Sequence, residues 1–405
     1  MFIVGESKAV ARMSIGELHA DPDTVKVGKA DHATNPSSAP SERLRLRTLL
    51  ACNLGVCLEG FDFIAYTAFA AIFAKLFFPA QDPLSSALLV FGGFGIAYLV
   101  RPFGGLFWGI YSDRRGRRSA LASISIMTGL GTLLIALTPP FAMIGLAAPL
   151  LLLGGRLIQG FAASGEFASA TAMLVELAPA RRRAFYASTQ MASQVATIGI
   201  AYGVVLILSD IMSPDALERW GWRAVFAAGA LIAPLGLYMR ARMAESPEFI
   251  AAATGRATRK VRILDMLKAY PVELACIAGI VVVSAAALYL ILVFIPVYAV
   301  RQLGLPAHDV QITIILCVVV EIPVILWAGW AADRIGPARF LPPAVLGYAL
   351  LAYPLFATLI SYPSMSMFVA VELVAVVLLG LFSGPMPAVI SALLPTEVRS
   401  SVSEV

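Results

Sequence analysis

The chain has 405 residues, of which 59% are hydrophobic and only 14% are charged. Soluble domains carry about 25% charged residues, so this composition excludes a soluble fold and predicts an all-α protein that crosses the membrane many times. The net charge is +5, but the basic residues lie in loops between apolar runs, which favours the lipid bilayer over nucleic acid as the partner. All four cysteines lie inside apolar runs, and no metal site, disulfide framework or cofactor is expected.

Residues 1–41 form a polar segment with Ser and Pro near its end. The segment has no apolar core of the length that a cleaved signal peptide needs, so it is interpreted as a disordered cytoplasmic tail. Met13 is an alternative start of the chain.

Ten apolar runs follow, each close to the roughly 20 residues that a membrane span requires. They predict an N-terminal six-helix bundle over 42–240, a cytoplasmic connector over 241–267, and an incomplete C-terminal bundle of four helices over 268–405. The predicted spans are 46–73, 84–110, 119–137, 144–178, 185–211, 222–239, 271–300, 312–332, 340–360 and 367–394.

The distribution of Lys and Arg predicts the orientation of the spans. Basic clusters precede the first span and follow the second, fourth and sixth spans, whereas the alternate loops carry few basic residues. By the positive-inside rule, the N-terminus and the basic loops face the cytoplasm. The protein is therefore predicted to be a multi-pass protein of the bacterial cytoplasmic membrane.

The first span carries two acids, Glu59 and Asp62, on one helix face. An ionised side chain at mid-bilayer is costly, and paired carboxylates raise each other's proton affinity, as a reversible proton carrier requires. The pair is predicted to bind and release a proton. In the alternative interpretation, one acid only pairs with an arginine of a neighbouring helix and never titrates.

A basic loop after the second span recurs after the eighth. The pattern G-x-x-x-D-R-x-G runs from Gly109 to Gly116 and again from Gly329 to Gly336, 220 residues later. A charged hairpin at corresponding points predicts two pseudo-symmetric halves, which is the layout of a secondary transporter.

The fourth span carries a polar stripe of Arg156, Gln159 and Glu166 on an otherwise small and apolar helix. The planar guanidinium of Arg156 suits the carboxylate of an anionic substrate, and Glu166 is a further candidate for proton coupling. The alternative is a structural bridge from Arg156 to Asp62 or Glu166. Arg101, in the second span, is a candidate for gating or for direct substrate contact.

Acids in the second half are interpreted by their depth in the spans. Glu321 lies in the middle of the eighth span and is either a coupling site or a helix-pairing group. Glu273 and Glu372 are expected at the membrane interface, near span ends. All three histidines lie outside the spans, so a histidine proton relay is not available.

Several motifs resemble the major facilitator superfamily, and in particular its metabolite:proton symporter branch. The resemblance covers 43–249 closely and the second half loosely. It is carried by GIYSDRRGRR at 109–118, EGFDF at 59–63, RPFGG at 101–105, GRLIQGF at 155–161 with Gly165-Glu166, WGWR at 220–223 and ESPEF at 245–249. The runs FFPA at 77–80 and GTLLIAL at 131–137 are most similar to citrate and tricarballylate carriers.

The resemblance implies a monomeric carrier that takes up a small organic anion together with a proton. It also implies a tyrosine- and threonine-rich set of substrate contacts at 289–298, of which Tyr289 is the candidate here because the rest of the segment is largely apolar. Relatives in the branch carry 2-oxoglutarate, shikimate, proline or betaine, so these remain alternatives.

The resemblance further implies that the repeated loops act as a conformational latch, in which an acid meets the positive end of a helix in the other half. Asp113 is expected to reach an eleventh helix, and Asp333 the start of the fifth span. A simple topology anchor against anionic lipid is the alternative. The latch candidates are Gly109, Asp113, Arg114, Gly116, Arg117, Arg118, Asp333, Arg334 and, as an arginine partner, Glu176.

The last residues resemble the end of the tenth span of a twelve-span bundle, which predicts a C-terminal truncation. A non-transporting remnant or membrane sensor is therefore the competing function. An enzyme is not expected, because the chain has no H-E-x-x-H motif and no G-x-S-x-G in a suitable context.

Overall fold

The structure, a computed structural model, describes residues 42–79, 83–179, 181–241 and 271–393. The regular secondary structure in these ranges is entirely helical. The predicted tail, most of the predicted connector and the last residues of the chain lie outside the described ranges. The long helices are α1 (Glu42–Ala68), α2 (Pro83–Leu99), α3 (Arg101–Arg115), α4 (Arg117–Leu137), α5 (Ala147–Leu177), α6 (Arg183–Ile211), α7 (Trp222–Ala241), α8 (Pro271–Tyr289), α9 (Ala307–Ile335), α10 (Pro337–Ser361) and α11 (Met365–Ser383).

Short helical segments extend several of these helices or join them. A π-helical turn after α8 leads into the helix Ile295–Arg301, so that one apolar stretch continues from Pro271 to Arg301. Another π-helical turn, Leu217–Gly221, leads into α7. The remaining short segments are Ala70–Phe77, Phe141–Ile144, Pro214–Ala216 and Met386–Leu393.

Eight stretches of the described residues are long and apolar enough to cross a membrane. They coincide with eight of the ten predicted spans. The other two predicted spans are helical as well: one falls on α7, and the other on α2 and α3, which are separated at Val100. The prediction of an all-α membrane protein is confirmed.

The helices before residue 242 pack around α1, which contacts α5, α6 and α7. Glycines allow the closest approaches: a Cβ on Gly160 of α5 would lie 2.8 Å from the carbonyl carbon of Ala97 in α2, so these two backbones are in direct contact. An aromatic cluster of Phe73, Phe77, Trp222 and Phe226 is fully buried at one end of this bundle.

In the second half, α9 packs against α11, and α10 packs against α11 and α9. Gly380 of α11 lies directly against Val324 of α9, where a Cβ would come within 3.0 Å of the valine side chain. The small residue brings the two helices close together along a shared face.

The two halves are joined by α6 and α9, which run antiparallel and contact each other along their length. A Cβ on Gly199 of α6 would lie 2.8 Å from Val318, and one on Gly329 of α9 would lie 2.6 Å from the Cβ of Ser188. At the far end of the pair, His308 Nε2 lies 4.0 Å from Asp210 Oδ1.

The two copies of the repeated loop have the same backbone geometry. Gly116 ends α3 with φ 88°, and Gly336 ends α9 with φ 99°. Each glycine donates its N–H to the carbonyl four residues earlier at 2.9 Å, and the next helix begins at the following residue. Positive φ favours glycine, which explains its presence at both points of the repeat.

Candidate functional site

A buried polar network in the first half centres on Asp62, which is 3% exposed and lies in the last third of α1. Thr132 of α4 donates a hydrogen bond to Asp62 Oδ2. Gln159 of α5 donates to the same oxygen at 3.2 Å and to Thr132 Oγ1 at 3.0 Å. The other carboxylate oxygen, Oδ1, has no hydrogen-bond partner among the described residues. It lies against α7, where a Cβ on Gly229 would be 2.8 Å away.

Arg156 connects to this network through Gln159. Its side chain is fully buried in α5, and its Nη1 donates to Gln159 Oε1 at 2.9 Å. Gln159 therefore accepts from the arginine and donates to the acid, and Arg156 and Asp62 also attract each other electrostatically. The polar stripe predicted on the fourth span is present for Arg156 and Gln159.

Aromatic rings enclose the guanidinium of Arg156. Its Cζ lies 4.2 Å from the ring centroid of Phe63 and 4.4 Å from that of Tyr66, both on α1. These are cation–π distances, so the buried positive charge is stabilised by ring faces as well as by the hydrogen bond to Gln159. The guanidinium therefore packs against these two rings.

A tyrosine pair links this region to the second half of the chain. The hydroxyl of Tyr98 in α2 donates a hydrogen bond to that of Tyr289 at the end of α8, and the two rings meet edge to face with centroids 5.8 Å apart. Arg101 lies over the ring of Tyr98 at 4.1 Å. Arg101 and Tyr289 are thus connected through Tyr98 at the junction of the two halves.

The second copy of the repeated loop reaches the other half. Asp333 accepts hydrogen bonds from the backbone N–H groups of Ala184 at 2.8 Å and Phe185 at 2.9 Å, in the first turn of α6. This is the contact predicted for Asp333 at the start of the fifth span. Arg334 lies over the ring of Trp330 at 3.9 Å, within its own helix.

In the first copy, Gly109 and Gly116 are buried, whereas Arg114 and Arg118 are exposed. The side chains of four candidates lie outside the described part of the structure, so the predictions for them stay predictions. These candidates are Glu59, Asp113, Arg117 and Glu176.

Glu166 of α5 and Glu321 of α9 are also buried, at 2% and 0% exposure. Ten residues, or about 15 Å of helix, separate Glu166 from Arg156, so a direct bridge between them is excluded. Glu321 belongs to the second half, where α9 meets α11. Glu372, expected at the membrane interface, is instead fully buried: it lies seven residues inside α11, on the side that packs into the bundle.

Sequence reasoning did not identify Thr132 or Tyr98 as site residues. A threonine within an apolar helix usually bonds its own backbone, and a tyrosine near a span end is usually interfacial, so neither residue type marks a site. Thr132 becomes significant only because α4 places it opposite Asp62.

Comparisons with known proteins agree with this architecture. Residues 53–405 match the sequence profile of the Major Facilitator Superfamily. The chain is 34% identical to a citrate-proton symporter of Klebsiella pneumoniae over 88% of the chain and 80% of that protein. It is 30% identical to a proline/betaine transporter of Salmonella typhimurium over 88% of the chain and 73% of that protein.

A solved structure of a proton:xylose symporter bound to 6-bromo-6-deoxy-D-glucose has the same fold. It superposes with a TM-score of 0.73 at 17% identity and covers 90% of this chain and 85% of its own. Together with these sequence relatives, the all-helical membrane fold identifies a multi-pass membrane transporter. The chain belongs to the major facilitator superfamily.

Proposed function

We propose that the chain is a proton-coupled symporter that carries a small organic anion, a di- or tricarboxylate such as citrate, by alternating access. In this proposal it works as a monomer in the bacterial cytoplasmic membrane, with its N-terminus in the cytoplasm. The observation that carries the proposal is the buried network in which Gln159 joins Arg156 to Asp62.

Asp62 is the proposed proton acceptor. Its Oδ2 already accepts two hydrogen bonds, which favour the ionised carboxylate, while Oδ1 has no partner among the described residues. A proton arriving at Oδ1 neutralises the acid without displacing Thr132 or Gln159. The network thus keeps its geometry in both protonation states.

Arg156 is the proposed contact for a substrate carboxylate. While Asp62 is ionised, it offsets part of the charge of the buried arginine; once Asp62 is protonated, its share of the compensation is lost, which is costly in an apolar interior. A substrate carboxylate restores it and can take two guanidinium hydrogen bonds. Proton binding therefore raises the affinity for the anion, and by thermodynamic reciprocity the anion raises the affinity for the proton.

Citrate is the first candidate substrate because of the 34% identity to a citrate-proton symporter. A zwitterion such as betaine is the second candidate, favoured by the aromatic faces of Phe63 and Tyr66 beside the arginine. These rings suit a quaternary ammonium once the guanidinium has turned towards a carboxylate. Competition of unlabelled citrate, tricarballylate and betaine for the same uptake separates the two.

The test is uptake of labelled citrate by proteoliposomes under an imposed pH gradient. We expect accumulation that collapses with the gradient. Asp62→Asn should abolish gradient-driven accumulation while the protein remains folded in the membrane, whereas Asp215→Asn, at an exposed site, should leave it unchanged. If correctly inserted protein accumulates none of the tested solutes under the gradient, the proposal is wrong.

A further inference from the structure

A second pair of buried acids lies in the second half of the chain, on helices that do not contribute to the Asp62 network. Glu321 of α9 and Glu372 of α11 are both 0% exposed. None of their four carboxyl oxygens has a hydrogen-bond partner among the described residues. Neither α9 between 310 and 330 nor α11 carries another charged residue.

Both acids lie where α9 packs against α11. The Cγ atom of Glu321 would be 3.4 Å from a Cβ on Gly380 of α11, so its side chain extends along the face shared by the two helices. Glu372 precedes Gly380 by eight residues, about 12 Å along the same helix. The two carboxyls interact electrostatically with each other, and Cys317, one turn before Glu321, interacts with both.

The titratable groups that face this pair from neighbouring helices are phenols. Tyr202 of α6 and Tyr348 of α10 both interact electrostatically with Glu372. No basic side chain is available along these helices, because the segments 184–209, 274–300, 310–333, 340–361 and 365–393 contain no Lys, Arg or His.

This environment disfavours ionised carboxylates. Burial without a hydrogen bond or a cation strongly disfavours the charged form, and two like charges near each other disfavour it further. We infer that Glu321 and Glu372 form a second proton-binding site, which is protonated in the conformation described here and releases protons when α9 and α11 are opened to water. This site is separate from Asp62 and is proposed in addition to it.

The inference rests on the proposed proton coupling only for its role in transport; the protonation itself can be measured without a substrate. The experiment is infrared spectroscopy of the full chain in lipid nanodiscs, recorded in neutral and then in alkaline buffer. Protonated carboxyl groups absorb at a frequency distinct from that of carboxylates. We expect Glu321→Gln and Glu372→Gln each to remove part of that band at neutral pH, while Glu273→Gln, at a half-buried position near the start of α8, serves as the matched control.

Wild-type protein gives a second measurement that does not depend on recovering the glutamine variants. The S–H stretch of Cys317, assigned with Cys317→Ala, should shift as the neighbouring acids ionise in alkaline buffer. If both glutamine variants leave the carboxyl band unchanged at neutral pH, both acids are ionised in wild type and the inference is wrong. A carboxyl band and an S–H band that both stay unchanged in alkaline buffer would also overturn the inference, because the two acids would then not release their protons to the solvent.

Transport provides the link to function. If the site releases its protons in each cycle, the double variant Glu321→Gln with Glu372→Gln should accumulate about tenfold less citrate per unit of pH gradient for each proton no longer carried. Accumulation equal to wild type would remove the site from coupling and overturn its proposed release step. If wild type itself accumulates no solute while the infrared bands respond as expected, the proposed symport fails and the proton site stands.

Discussion

Asp333 caps the first turn of α6 from the other half of the chain, with its Oδ1 2.8 Å from the backbone nitrogen of Ala184 and its Oδ2 2.9 Å from that of Phe185. A carboxylate at a helix N-terminus satisfies N–H groups that have no partner within the helix and is favoured by the helix dipole. One side chain therefore ties the end of α9 to the beginning of α6.

Replacing Asp333 by Asn should weaken this contact between the end of α9 and the beginning of α6. The change removes the charge and one of the two acceptor oxygens, and we expect a loss of about 1–2 kcal/mol for the packed arrangement. Ser188→Cys, in a Cys276→Ser background, reports the separation of α6 and α9, because Ser188 is fully buried against Gly329. Maleimide labelling at this position should rise about 5–30-fold. Asp215→Asn is the control, and equal labelling in both variants would contradict the role of Asp333.

Gly329→Ala should force α6 and α9 apart. The added Cβ would lie 2.6 Å from the Cβ of Ser188 and 2.9 Å from the carbonyl oxygen of Ala184, and the backbone cannot yield easily. We expect destabilisation by about 1–3 kcal/mol, measured as a lower thermal unfolding midpoint in detergent. At Gly279 of α8, by contrast, nothing lies within 4 Å of the added Cβ. Gly279→Ala should therefore leave the midpoint unchanged or raise it, and a similar loss in both variants would argue against helix contact as the cause.

Thr132→Val should alter the pH dependence of uptake. The substitution keeps the shape of the side chain and removes a hydrogen bond to Asp62 Oδ2 that stabilises the ionised carboxylate. Asp62 then holds its proton to higher pH, and the pH of half-maximal uptake should rise by about one unit, equivalent to about 1.4 kcal/mol. Thr128→Val is the matched control one turn earlier, since its hydroxyl has no hydrogen-bond partner among the described residues. If the pH profile of Thr132→Val is unshifted, the hydrogen bond from Thr132 does not affect proton binding by Asp62.

Arg156→Lys should keep the charge but lose the planar fork. Lysine binds a carboxylate through a single ammonium group and does not stack on the rings of Phe63 and Tyr66 in the same way. We expect the KM for a carboxylate substrate to rise at least about tenfold, as the loss of a charge-assisted hydrogen bond costs about 1.5–3 kcal/mol. Arg219→Lys, at an exposed position, should behave as wild type. Normal transport by Arg156→Lys would show that the substrate carboxylate is not bound through two hydrogen bonds from residue 156.

The fold could be predicted from the sequence to a large extent. Composition required membrane helices, and the spacing of apolar runs located them, because each span must be apolar over a length set by the bilayer. The resemblance to the superfamily, rather than the composition, led to the contact of Asp333 with the start of α6. The break at Val100 was missed although Arg101 and Pro102 follow it directly and a proline favours the first turn of a helix.

The site could be predicted only in part. Asp62, Arg156 and Gln159 stand out because charged and amide groups are rare in spans, but their connection through Thr132 depends on how α4 packs against α1 and α5. Glu372 was misplaced because depth was judged from distance to the span end, whereas burial depends on which face of α11 meets α9. Sequence periodicity contains little information on that choice when every face of the helix is apolar.

The single-residue joints at Gly116 and Gly336 have a mechanical consequence. Each joint leaves no slack chain between two helices, so α10 must follow when α9 tilts, and α4 must follow α3. The adjoining ends of the connected helices therefore move together, so any movement of Asp333 at the end of α9 is carried to the start of α10. An event at one loop in this way involves two helices rather than one.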